Sequence, residues 1–318
     1  MSNAKFEARS AKSASPMDLR WLEDFLALAE QRTFARAAAV RRVTQPAFGR
    51  RIRALEEWLG TRLFVRSAQG AVLTPAGKFL RTPAEELTRN LYQLRHATLE
   101  VADREASTLS IAATHALSFV FFPSWIRTHV LFGTLGPVNL ISDTLEACEE
   151  IMLRGEADVL LCHYHRGAGT RLEPSHFTSV VVGRDVLLPL SAPGSKGAPQ
   201  WTLPGHSESP VPFLSYGPKS GLGRILDAVW AKERAAFSLQ KRFTAQLATA
   251  LLSMARQGQG VTWLPQTLAA EDIEAGRLVD AGLGHFAVEV EIRLFQSVHG
   301  QTRAAEAFCK AVANERPA

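Results

Sequence analysis

Nine arginines fall between Arg32 and Arg66 and only Glu56 and Glu57 oppose them, so this window is more positive than the whole 318-residue chain, whose formal net charge is +5. A guanidinium presents its donors in a fixed fork that can grip a phosphate or the O6/N7 edge of guanine with two bonds at once. Within the window, Phe48, Ile52, Leu55 and Leu59 recur at steps of four, three and four, which makes one apolar stripe of a helix. At 100° per residue the opposite face carries Pro46, Gly49, Arg50 and Arg53. Thr44 is placed to cap this helix, Pro46 is tolerated in its first turn, and both join the candidate DNA contacts. Gln45 can pair with adenine and Ala47 can meet a thymine methyl. A helix with an apolar back and a small, polar, cationic front suits the major groove of double-stranded DNA, and Arg51 is counted with the contact residues.

The neighbouring elements must hold that helix. A helix from Phe34 is packed with Ala35, Ala37, Ala38 and Ala39, small enough for close helix contact, and Thr33 at its start joins the candidate DNA contacts. Before it, Asp18–Gln31 reads as a first helix with Leu22, Phe25, Leu26 and Ala29 inward. Glu23, Asp24 and Glu30 would give it an acidic outer face turned away from phosphates. After it, residues 63–66 and 71–73 alternate around Ser67–Gly70 as a hairpin, so that Arg62 and Arg66 can contact backbone phosphates, which position without specifying sequence. The run FARAAAVRRVTQPAFGRRIRALEEWLGTRLFVRSAQGAVLTPAGKFL resembles the winged helix-turn-helix of LysR-type bacterial transcriptional regulators. The resemblance is carried by the alanine-rich helix, T-Q-P-A-F, R-R-I-R-A-L-E, L-G-T-R-L-F-V-R and L-T-P-A-G. Gly49 departs from it, standing where the family usually has serine, so one hydroxyl contact is missing.

Thr74 and Pro75 open a long helix running to about Asp103. Leu80, Ala84, Leu87, Leu91, Leu94, Thr98 and Val101 alternate at four and three, a heptad seam that predicts two helices wound together. Pro83 should kink or loosen the helix. The resemblance implies that this is a dimerising linker, with Leu80, Leu87, Leu91 and Leu94 in the seam of a homodimer or homotetramer that reads a partly palindromic operator. The expected organisation is a flexible tail (1–16), a winged helix-turn-helix head (17–74), a linker helix (75–104) and an effector module (105–318).

Beyond residue 108 the pattern changes to strands alternating with helices, the βαβ order of a parallel sheet. The predicted fold class is therefore α/β, with an all-α-plus-wing head. The resemblance implies a two-lobed module like a periplasmic binding protein, with lobe 1 near 105–183 and 285–318 and lobe 2 near 184–284. Ligands of open α/β sheets sit beyond strand C-termini, near helix N-termini. That rule selects Thr114, His115, Ser118, Tyr216, Ser220 and Gln246, with His163 on the rim and Trp263 as an apolar wall, for a small and anionic effector.

Other chemistry has little support. Cys162-His163-Tyr164-His165 offers two metal ligands where a site needs two more, so neither metal nor cofactor is expected. Gly221-Leu-Gly223 lacks the third glycine of a dinucleotide loop, and no G-x-S-x-G or P-loop occurs, so no catalytic residue is assigned. Three cysteines suggest a reducing compartment, and no apolar run reaches the roughly 18 residues of a membrane span, so a cytoplasmic, nucleoid-associated location is expected. IAATHALS, FLSYG and GVTWLP are similar to segments of the hypochlorite-responsive regulators, whose sensing methionine is replaced here by Leu222. The alternatives to a small effector are thus oxidation at Met152, Met254 or Cys162, and an architectural DNA binder with no effector.

Overall fold

The computed structural model describes residues 17–67, 70–101, 108–128, 136–194, 197–231, 237–298 and 301–314. Residues 1–16, expected to be a tail, lie outside this set. The chain divides into two compact units, Met1–Leu94 and Arg95–Ala318.

The first unit has three helices and a hairpin: α1 (Arg20–Gln31), α2 (Phe34–Val40), α3 (Gln45–Leu59), β1 (Phe64–Ser67) and β2 (Gly70–Leu73). Thr33 caps α2, accepting the Arg36 amide, and Gly60 ends α3 in the left-handed region. Phe25, Leu28, Ala37, Phe48, Leu55 and Leu63 form a closed core. Leu26 and Ala29 only border it, so the buried stripe of α1 is centred on Leu28 rather than where spacing placed it. The hairpin pairs Phe64 with Leu73 and Ser67 with Gly70. A Cβ on Gly70 would sit 2.3 Å from the Arg32 carbonyl oxygen, which the next amide, that of Ala71, meets at 2.7 Å. Glycine therefore lets the hairpin dock on the end of α1.

Asp24 corrects the expected acidic outer face. It is wholly buried, with Arg41 donating to one carboxylate oxygen at 2.8 Å and Arg51 to the other at 3.3 Å. Arg41 also pairs with Glu23. Burial alone would lower the pKa of Arg41, but its bonds to Asp24 and Glu23 outweigh that and hold it raised.

Helix α4 (Pro75–Val101) runs uninterrupted through Pro83. Thr74 caps it, accepting the Gly77 amide at 3.0 Å while donating to the Arg62 carbonyl at 2.8 Å. Leu80 and Ala84 pack into the first unit's own core, whereas Leu87, Leu91 and Leu94 are exposed. Only the second part of the expected seam is open to another chain. The Val101 side chain lies outside the described residues.

The second unit is the α/β module. Strands β3 (Leu109–Thr114), β4 (Val138–Asp143) and β5 (Val159–Tyr164) are parallel, with β3 in the middle. They alternate with a π-helical turn at Leu117–Phe121, α5 (Phe122–Thr128) and α6 (Leu145–Leu153). The long β6 (Phe177–Ser191) follows, then β7 (Val211–Tyr216), α7 (Gly221–Trp230), β8 (Leu239–Ala245), α8 (Ala248–Arg256), β9 (Thr262–Pro265) and α9 (Gln266–Glu274). The short β10 (Val279–Asp280), β11 (Val288–Ser297) and α10 (Arg303–Asn314) complete it. Antiparallel β6 and β11 are the two crossings: β11 pairs with β5 at one end, and β6 pairs with β9 at the other. One buried core surrounds Trp263, Leu214 and Leu251; another surrounds Ile111, Leu161 and Phe308.

Candidate functional site

Among the described residues, two concave features are candidates for binding. The first is an open groove of about 900 Å³ between α3 and the β1–β2 hairpin, with Gln45, Pro46, Gly49, Arg53, Arg62 and Arg66 on its walls. Thr44, Gln45, Pro46, Arg50, Arg53, Arg62 and Arg66 are all exposed, and Ala47 is half-buried. The first turn of α3 is therefore open: Thr44 holds the N-cap position by its backbone, and its hydroxyl makes no capping bond. Arg53 donates from Nε to the Gly49 carbonyl at 3.2 Å. Glu56, on the same helix, accepts the Leu63 and Phe64 amides at 2.8 and 3.2 Å, which fixes the hairpin beside α3. Glu56 thus spends its charge on structure and leaves the groove cationic. Thr33 is occupied in capping α2. Arg51, expected among the contacts, turns instead to the buried Asp24. The physical reason is angular: Arg51 sits one residue, 100°, from Arg50, which brings its stem round to α1.

The second feature is a cavity of about 30 Å³ in the α/β module. Thr114 and His115 reach it from the end of β3, and Asp143, Thr144 and Leu145 from the end of β4 and the start of α6. Ser220, Gly221 and Leu222 reach it from the start of α7, Gln246 and Ala248 from the start of α8, and His163 from β5. Three helix N-termini thus converge. Thr144 and Ser220 cap two of them, each accepting an amide three residues on at 3.4 Å. Thr114 Oγ1 and Gln246 Oε1 are buried and have no hydrogen-bond partner among the described residues. Gly217 makes room for the amide of Gln246, which would lie 2.3 Å from a Cβ there. His163 is buried, with Nε2 3.1 Å from Asp185, which also accepts the Thr267 hydroxyl at 2.5 Å. Burial would raise Asp185, but its bonds to His163 and Thr267 outweigh that and hold it below the ordinary carboxylate range.

Comparison with known proteins matches both features to one family. Residues 19–78 match the model described as "Bacterial regulatory helix-turn-helix protein, lysR family", and residues 102–316, two thirds of the chain, match "LysR substrate binding domain". The chain belongs to the LysR family. It is 28% identical over 296 residues to the HTH-type transcriptional regulator YjiE of Escherichia coli K12, covering 92% of this chain and 93% of that one. Among solved structures it is similar to full-length HypT of Salmonella typhimurium, described as a hypochlorite-specific LysR-type regulator (26% identity, TM-score 0.55, 92% and 96% covered). It is also similar to DarR of Vibrio fischeri, solved with DNA (26%, TM-score 0.53, 95% and 100% covered). This LysR protein is a DNA-binding transcriptional regulator with an effector-binding module, and its relatives are named as regulators and activators rather than enzymes.

Within the LysR fold the expected effector residues divide. Thr114, His115, His163, Ser220 and Gln246 line the cavity. Ser118 stands behind it, its hydroxyl 2.6 Å from that of Ser142, which also meets His115 Nδ1 at 2.9 Å. Tyr216 and Trp263 do not line it. Trp263 is fully buried in the other core with Trp230 and Phe237, and the Tyr216 hydroxyl donates to the Trp263 carbonyl at 2.9 Å. Both were placed at the ends of strands by pattern, but their side chains alternate to the packed face. Asp143, Thr144 and Leu145 were missed, although the same rule applied to the end of β4 would have found them. His165, two residues beyond His163, accepts the Gly167 amide at 3.1 Å. Among the described residues no helix is long and apolar enough to cross a membrane.

Proposed function

We propose that this LysR regulator reads a partly palindromic DNA site as a homodimer or homotetramer and is switched by a small anionic effector in the cavity bounded by Thr114, Thr144, Ser220 and Gln246. The observation that carries the effector reading is the pair of buried oxygens without partners, Thr114 Oγ1 and Gln246 Oε1, where three helix starts meet. A buried polar atom left unpaired costs about 1–3 kcal/mol, which a bound ligand would recover. Each helix N-terminus contributes about half a positive charge, so three outweigh the single carboxylate of Asp143. Asp143 is itself engaged by the Thr144 amide at 2.6 Å. Reading DNA is assigned to Gln45, Pro46, Ala47, Arg50 and Arg53, and phosphate contact to Arg62 and Arg66, all accessible on or beside α3. Leu87, Leu91 and Leu94 supply the apolar stripe for a second copy. Such a regulator works in the cytoplasm, on the nucleoid.

Switching by oxidation at sulfur has less to act on. Cys148, Cys162 and Cys309 are all buried, and burial pushes the thiols of Cys148 and Cys309 up to about 12 and that of Cys162 upward as well. Met152 is buried, and Leu222, not methionine, faces the cavity.

A thermal-shift screen of small carboxylates and inorganic anions tests the reading. A ligand at a hundred times its Kd stabilises by about 2.7 kcal/mol. Thr114→Val, which removes only the hydroxyl, should erase most of that shift. A ligand that stabilises wild type and variant alike would place the effector elsewhere, and a screen with no response would favour the architectural DNA binder.

A further inference from the structure

The three helices of the head and the linker helix α4 are joined by one chain of polar contacts. On α4, the Tyr92 hydroxyl donates to Glu23 Oε1 at 2.7 Å. The other oxygen of Glu23, on α1, takes a guanidinium nitrogen of Arg41, the C-cap residue of α2. Arg41 Nε donates to Asp24 Oδ1 at 2.8 Å, and Asp24 Oδ2 takes Arg51 of α3 at 3.3 Å. The chain therefore runs from the linker helix, through the buried carboxylate of Asp24, to the helix that carries Arg50 and Arg53. Its links are short and partly or wholly buried: Arg41 and Glu23 side chains are 19% and 23% exposed and Asp24 is 0%. Charges held in such surroundings are weakly screened and tightly oriented, so displacing one end changes the best position of the other.

We infer that Tyr92, Glu23, Arg41, Asp24 and Arg51 are positioning residues that couple the setting of the linker helix to the aim of the DNA-reading helix. None of them needs to touch DNA. An apolar core alone would let α4 slide or roll over α1 with small loss, because dispersion and burial are non-directional. The Tyr92 hydroxyl is directional and fixes one roll angle of α4 against Glu23. Arg51 transfers that setting to α3 one residue from Arg50. The inference rests on the assignment of DNA reading to α3.

The test uses the full-length protein. Wild type is first used to select tight-binding duplexes from a random library, and affinity is then measured on a selected duplex and on unselected random duplex. Tyr92→Phe, which keeps the ring and its packing, should bind the selected duplex about tenfold more weakly while its affinity for random duplex, its melting temperature and its oligomeric mass stay at wild-type values. Arg51→Lys should show the same specific loss, and Tyr92→Phe/Arg51→Lys should lose no more than the worse single variant, because one chain broken twice is still one break. Wild-type affinity of Tyr92→Phe for the selected duplex overturns the coupling, as do losses that simply add in the double variant. Arg50→Ala reports separately on the reading beneath: a loss confined to the selected duplex supports base contact by α3, whereas silence while Tyr92→Phe is weakened overturns that assignment and, with it, the coupling of α4 to DNA reading through α3.

Discussion

Gly49 sits inside α3, and a Cβ built there would meet nothing within 4 Å. Packing does not call for glycine at that position, and glycine in a helix interior costs about 0.8–1.0 kcal/mol relative to alanine. Gly49→Ala should therefore raise the stability of the head by about 1 kcal/mol, read as a higher urea midpoint. If the bare surface serves the close approach of DNA, the same variant should bind a selected duplex more weakly despite being more stable. A variant both more stable and equally tight would make Gly49 a neutral departure from the family pattern. Arg51 shows the limit of spacing at this scale. It belongs with Arg50 and Arg53 by residue type, and only the buried Asp24, 27 positions earlier, sets it apart.

At the scale of the element, α4 is two helices in function. Ala84 is buried in the head's core, whereas Leu87 and Leu91, one and two turns on, are 47% and 40% exposed. A strict heptad made all of them look alike, because period reports only which residues share a face and not what covers it. The two parts should separate under mutation. Ala84→Asp puts a charge into an apolar core and should lower the melting temperature of the head. Leu87→Asp with Leu91→Asp should leave the head's own core intact, lowering its melting temperature far less than Ala84→Asp does, and should dissociate the proposed dimer, measured by light scattering. Retention of the dimer would assign the exposed leucines to some other contact.

At the scale of the whole chain, two compact units imply two unfolding transitions rather than one. In the α/β module, Glu149 of α6 is wholly buried and holds Arg224 of α7 through three contacts of 2.8–3.0 Å. It also accepts the Thr170 hydroxyl and the Arg171 amide. The pair ties together α6 and α7, two of the three helices whose N-termini border the cavity. Arg224→Met would strand the carboxylate, a loss of about 3–5 kcal/mol for a buried pair broken on one side. Calorimetry should show only the transition of the module moving down, with the head's unchanged. Equal shifts in both transitions would show that the units unfold together.

The periodicities of the sequence sufficed for the order of elements, the hairpin and the parallel strands, because they are local and the chain carries turn and cap residues at the boundaries; the winged head and the two-lobed module came from the family resemblance. The family motifs supported the proposed role of α3 in reading DNA, which its cationic front had already suggested. Five of the cavity's lining residues, Thr114, His115, His163, Ser220 and Gln246, were also legible, since strand ends and helix starts are written in the pattern. What only the tertiary structure decided is which polar side chains face inward. Asp24 is expected on an outer face, and nothing in the spacing marks Glu149 or Asp185, until partners far away in sequence, Arg51, Arg224 and Thr267, close on them. Trp263 and Tyr216 went the other way, from cavity wall to core, because one step of strand alternation turns a side chain to the opposite face. A burial pattern has a period, but an ion pair between distant segments has none, and that is why no reading of spacing could find it.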